Sequence, residues 1–170
     1  MNRPQYILLP VSPMFIVATL VVAFLLNIQT WGRMVGVPDF VAIVIIFWGI
    51  HQPRSAGIGV AFFMGLLMDV SDATLFGENA LAYTLLSYFA ITIHRRVLWF
   101  SVPMQSIHVL FLMLFAQVVQ CLVQYVVNGR IPGWMYFLEI LTAAALWPGV
   151  TWMLLAPQRR VVNKDKNRPI

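Results

Sequence analysis

Six apolar runs, each cut off by a short polar or turn-forming stretch, set the layout of the chain. The first, 14–26, is entered through Pro10 and Pro13 and bracketed by Tyr6 and Trp31. A glycine- and proline-rich turn at 32–39 leads to a second run, 40–50, and His51-Gln52-Pro53-Arg54-Ser55 separates it from a third, 56–70. The fourth, 80–93, stops at His94-Arg95-Arg96, and Val97 to Phe100 read as a connection on the membrane surface. The fifth covers 107–127, a tight loop follows at 128–133, and the last covers about 135–155, with Pro148 expected to bend it. A hydrocarbon core of about 30 Å calls for roughly 20 helical residues. The pattern therefore predicts an all-α, polytopic membrane bundle with spans near 10–31, 37–51, 55–70, 79–94, 105–127 and 134–155. These form one transmembrane domain, 1–156, followed by a basic, disordered tail, 157–170. No small-residue cleavage site follows the first run, so the first helix is expected to be retained.

The second and third runs are short. Two crossings or one re-entrant hairpin would each accommodate them, and Arg54 argues for crossings, because a hairpin would carry its guanidinium to the deepest point.

Composition sharpens this picture. With 61% hydrophobic and 10% charged residues, and a mean hydropathy of +0.82, the chain is far more apolar than a soluble domain. That disfavours most enzymes. A net charge of +5 would suggest nucleic acid in a soluble protein, but here topology explains it. Alternating the loops puts Arg3, Arg54, Arg95, Arg96, Arg159, Arg160, Lys164, Lys166 and Arg168 on one side, and only Arg33 and Arg130 on the other. The first side is then cytoplasmic and holds both termini, which requires an even number of crossings. Asp39, Asp69, Asp72, Glu78 and Glu139 fall on the outer side, and only Asp165 inside.

Two patterns could carry function. Phe62, Gly65 and Asp69, at i, i+3 and i+7, set a large side chain, a gap and a carboxylate on one helical face, and Gly77 follows the acidic turn. Asp69 and Asp72 could be a catalytic carboxylate pair, a solvated helix end, or a turn that orders the outer ends of the third and fourth helices. The turn is the favoured reading. Gln117, Gln120, Gln124 and Asn128, at i, i+3, i+7 and i+11 with Cys121 beside them, draw an amide stripe down the fifth helix. Amides facing lipid cost free energy, so the stripe faces other helices, a partner, or a ligand cavity. Asn27 reads as an interfacial or helix-contact amide. His51, His94 and His108 are isolated, and neither a metal pair, a nucleophile elbow nor a phosphate-binding loop is present. No catalytic residue, cofactor or metal is expected, and a lone cysteine supports no disulfide.

The run Phe62-x-x-Gly65-x-x-x-Asp69 with Gly77, preceded by Pro38-Asp39-Phe40, Phe47-Trp48 and Pro53-x-x-x-Gly57-x-Gly59 and followed by Leu146-Trp147-Pro148, resembles the rod shape-determining protein MreD family. The resemblance implies a non-catalytic inner-membrane scaffold of the bacterial cell-elongation complex. Such a scaffold helps couple lateral peptidoglycan synthesis to MreB filaments through MreC. MreB, RodA and a class B penicillin-binding protein are implied as members of that complex, with membrane lipid around the scaffold and no small-molecule substrate.

A rival reading starts from the architecture. Six compact helices with short, glycine-containing spans are similar to the substrate-binding membrane subunits of energy-coupling factor vitamin transporters. The stripe, with Asn27 or Glu139, would then line a ligand pocket.

Overall fold

The structure, a computed structural model, describes residues 12–29, 36–129 and 133–158, apart from the side chain of Met135. Among these residues it is all-helical. Six α-helices follow in order: α1 Pro13–Ile28, α2 Phe40–His51, α3 Ile58–Ser71, α4 Glu78–Leu98, α5 Val102–Asn128 and α6 Leu138–Leu155. Short 3-10 turns, Trp134–Phe137 and Ala156–Gln158, flank α6. Two helical stretches, Val102–Asn128 and Leu138–Gln158, are long and apolar enough to cross a membrane, and α1, α2 and α3 are shorter apolar helices. The architecture is consistent with a helical membrane protein.

Side-chain caps account for the first two helix starts. The Ser12 hydroxyl accepts from the Phe15 N–H, and Pro13 fills the first helical position, where its missing donor is harmless. The Asp39 carboxylate accepts from the Ala42 N–H at 3.0 Å and begins α2. Two boundaries differ from the apolar pattern. Helix α4 runs on through His94, Arg95 and Arg96 to Leu98, because arginine is a good helix former and suits a helix C-terminus. The expected surface connection therefore shrinks, with Val97 buried inside α4 and Trp99 exposed just beyond it. Helix α5 begins at Val102, with Pro103 in its first turn. Gln105 and Ser106 hid that start from a count of apolar residues. Helix α6 is unbroken through Pro148.

Helix α2 is the core. All residues from Val41 to Ile50 are buried, which explains why its apolar residues show no preferred face. Trp48, fully enclosed, donates from Nε1 to Thr19 Oγ1 on α1 at 2.9 Å and meets Phe15 edge-on. On the other side Phe47 packs near Trp147 of α6, whose indole donates to Gln105 of α5 at 3.4 Å. Helix α4 is the hub, packing on α3, α2 and α5. The two short helices α2 and α3 each lean on α4 and make at most marginal contact with one another.

The reversals sort charge by end. Asp39, Asp69, Asp72, Glu78 and Glu139 gather where α1, α3 and α5 end and α2, α4 and α6 begin, while Arg54, Arg95 and Arg96 lie at the opposite end. Tyr6, Pro10, Trp31 and the remaining basic residues counted above (Arg3, Arg33, Arg130, Arg159, Arg160, Lys164, Lys166 and Arg168) lie outside the described residues, as does Asp165.

Candidate functional site: a polar cavity at the acidic end

The acidic end is built around the junction of α3 and α4. On α3, Ala61, Gly65, Met68 and Asp69 form the buried stripe. A Cβ on Gly65 would fall 2.4 Å from the Cα of Ala80 and 2.6 Å from its nitrogen, so the glycine sets how closely the two backbones approach. That approach delivers Asp69, only 1% exposed, to the start of α4. Its carboxylate accepts from the backbone N–H groups of Asn79 at 2.7 Å, Gly77 at 2.8 Å and Ala80 at 3.4 Å. Helix α4 has no side-chain cap of its own, and Gly77 precedes it at a φ of +100°, a conformation that favours glycine. Asp69 thus satisfies donors that a capping side chain would otherwise take. It is not solvated, which removes the reading of a hydrated helix end, whereas Asp72 stands exposed on the rim.

A second knot ties α1 to α2 and α4. Asn27 donates to Asp39 at 2.8 Å and accepts from the Phe40 N–H at 2.9 Å, while the Tyr83 hydroxyl donates a short bond to the other Asp39 oxygen. Asn27 was legible as a helix-contact amide. Tyr83 was not, since a single tyrosine in an apolar run gives no signal.

The amide stripe supplies the third side. Gln120 donates to Asn79 Oδ1 at 2.7 Å and accepts from the Tyr136 hydroxyl at 2.9 Å. Gln124 donates to Glu78 at 2.7 Å, and Gln117 donates to the Tyr136 carbonyl at 3.2 Å and to Glu139 at 3.4 Å. Three of the four predicted stripe residues therefore join the cluster, whereas Asn128 is exposed on the final turn of α5. Phe62 also stays outside, 44% exposed on the flank of the α3 stripe. Asn79, Tyr83 and Tyr136 are the residues that sequence reasoning missed.

Together these groups enclose a cavity of about 450 Å³. Its walls carry Asn27, Asp39, Glu78, Gln117, Gln120 and Glu139 among others, with Asp72 on the rim. Loss of solvent on its inner side, and then Asp39 and Asp69, raise the Asp72 carboxyl above the usual carboxylate range. The histidines stand apart, each bonded to a backbone carbonyl of its own helix. Among the described residues no group of His, Cys, Asp and Glu is arranged to hold a metal ion.

Comparison with known proteins gives two matches. The family model described as rod shape-determining protein MreD matches residues 5–156. A curated protein of Haemophilus influenzae, rod shape-determining protein MreD, is 24% identical over 152 residues, covering 86% of this chain and 91% of the relative. No solved structure matches significantly.

Proposed function

From the chain's membership of the rod shape-determining protein MreD family, we propose that it works as a non-catalytic, multi-pass scaffold of the cell-elongation complex. The family is one of shape determination. The finer reading is that this protein helps couple lateral peptidoglycan synthesis to MreB filaments through MreC, alongside RodA and a class B penicillin-binding protein.

The observation that carries it is the employment of Asp69. The most deeply placed acid is committed to backbone donors at the start of α4, so it is held as a fastener between the two helices. Outward faces of α1, α3 and α5 carry large apolar side chains such as Val17, Phe63 and Phe111, which suit lipid or a partner's helix. Six crossings with both termini cytoplasmic accord with the sorting of charge, the end bearing Arg54, Arg95 and Arg96 facing the cytoplasm. Helices α2 and α3, 12 and 14 residues long, rise only about 18 and 21 Å, so flanking residues complete those crossings. The Gly65 to Gly77 junction and the amide stripe act in this reading by setting the helix geometry that the partner meets.

The test is a mild-detergent pull-down from the native bacterium through a C-terminal tag. Recovery of an MreC-type partner in fixed ratio, with elongation enzymes, is expected. The cavity gives some support to the vitamin-transporter reading, since the stripe, Asn27 and Glu139 all line it. Recovery of an ATPase pair and a bound vitamin would replace the scaffold reading by that one.

A further inference from the structure

The basic end of the bundle holds chemistry that the scaffold role leaves unused. Arg95 and Arg96 lie in the last turn of α4, and Trp99 follows at the helix cap in a still helical conformation (φ −76°, ψ −20°). Trp99 stands at i+3 from Arg96 and i+4 from Arg95, so the three side chains share one face. All three are exposed, Trp99 to 91%. Helix α2 packs closely on α4 near this end, where a Cβ on Gly49 would lie 3.1 Å from that of Ala90, and exposed Arg54 follows just beyond α2. Among the described residues, Arg54, Arg95, Arg96 and the Trp99 indole N–H have no hydrogen-bond acceptor or ion-pair partner. Every described acid lies at the opposite end.

This charged face runs directly into an apolar one. Phe89, Thr92 and Arg96, at i, i+3 and i+7, form one exposed strip of α4. Beside it on the antiparallel α5 lie Ile107, Phe111 and Phe115, also exposed and spaced four residues apart. The rings of Phe89 and Phe115 meet edge to face with centroids 4.8 Å apart, which joins the two strips along the seam of α4 and α5. Positive charge, then an indole, then hydrocarbon, in that order down one seam, match the phosphate, ester and acyl chains of a phospholipid. Guanidinium forks suit phosphate oxygens, and tryptophan settles at the headgroup level. An acidic protein segment would engage the arginines and leave Ile107 and Phe111 unused. A zwitterionic headgroup would bring an ammonium for which this end offers no described carboxylate. We infer that the basic end of this seam is a selective site for an anionic phospholipid of the surrounding leaflet. Such a site presupposes the multi-pass membrane reading, which puts this end at the bilayer surface.

The site is tested on the full chain in phosphatidylcholine nanodiscs doped with phosphatidylglycerol or phosphatidylethanolamine, each carrying bromine on its acyl chains near the ester. Tryptophan quenching is measured, and the part that disappears in Trp99→Phe is assigned to Trp99. Phosphatidylglycerol is expected to quench that part at about tenfold lower content than phosphatidylethanolamine, a preference that shrinks to about twofold or less when Arg95→Gln and Arg96→Gln are combined. Neither glycerol 3-phosphate nor a hexaglutamate peptide should relieve the quenching. Equal quenching of Trp99 by the two lipids overturns the inference and leaves the membrane reading standing, whereas no tryptophan quenching by either overturns both. A preference undiminished in the double variant also overturns it. So does relief by glycerol 3-phosphate, which would make the occupant a free phosphate, or by the peptide, which would make it an acidic protein segment. Should the double variant fail to insert, the comparison of the two lipids at Trp99 on the native chain decides it.

Discussion

The carboxylate of Asp69, near the end of α3, takes a 2.7 Å hydrogen bond from the backbone N–H of Asn79 in the first turn of α4. One side chain thereby closes a turn and caps a helix to which it does not belong. Asp69→Ala strands several buried donors, each costing about 1–3 kcal/mol. A loss of roughly 3 kcal/mol or more is expected, read as a lower melting temperature in detergent and reduced accumulation. Asp69→Asn keeps one acceptor and should fall between the two.

Gly65 and Gly59 lie on the same helix and should behave oppositely. A methyl group at Gly65 meets α4 backbone at 2.4 Å, and backbone cannot swing aside as a side chain would. Gly65→Ala should therefore cost about 3 kcal/mol, the upper end of ordinary overpacking. Nothing lies within 4 Å of a Cβ on Gly59. Gly59→Ala should be neutral or stabilise by up to about 1 kcal/mol through helix propensity. Paired melting curves check both.

The amide stripe divides in the same way. Gln120→Leu leaves both Asn79 Oδ1 and the Tyr136 hydroxyl without their partner and should destabilise by about 2 kcal/mol. Asn128→Leu, at an exposed position, should change stability by less than about 0.5 kcal/mol. If the stripe's work lies in partner binding instead, the Gln117, Gln120 and Gln124 triple leucine variant will stay folded and lose its partner in the pull-down.

Asp72 supplies a pH dependence with a definite sign. Its carboxyl is raised in the folded protein, so folding favours the protonated form. That contribution is fully present below the unfolded-state value and is lost as pH rises through the folded value. Asp72→Asn, which cannot ionise, should match the native chain in acid and surpass it slightly at neutral pH. Thermal melts of both proteins from pH 4 to pH 8 check this.

The helices were legible because each apolar run ends at residues with a reason to end it, as at Pro38-Asp39 or Gly129. The α4 to α5 connection is shorter than the apolar runs suggest because arginine marks a membrane edge and also propagates a helix. At the site, periodicity brought out Gln117, Gln120 and Gln124 because a polar stripe in an apolar helix is conspicuous. It could not single out Tyr83 or Asn79. Tyr83 acquires its role through Asp39, 44 residues earlier, and Asn79 through Gln120, 41 residues later, and a helical period is silent about the register between helices. Phe62 and Asn128 shared the right spacing and missed the cluster. One flanks the narrow stripe that α4 covers, and the other stands on the last turn of its helix.

The enclosed position of α2 bears on the order of synthesis. This helix leaves the ribosome well before α4, its main neighbour, and before α6, which Phe47 approaches through Trp147. A helix apolar on every side is as comfortable among lipid chains as among side chains. On the proposed six-crossing topology it can wait in the bilayer, and its later wrapping requires no change in what it touches chemically. Asp39 at its head is different, since Tyr83 arrives only with α4. Until then Asn27, already made, is its one available side-chain donor of the two. The first two helices thus carry their own temporary fastening, and the bundle can be assembled in the sequence in which it is read.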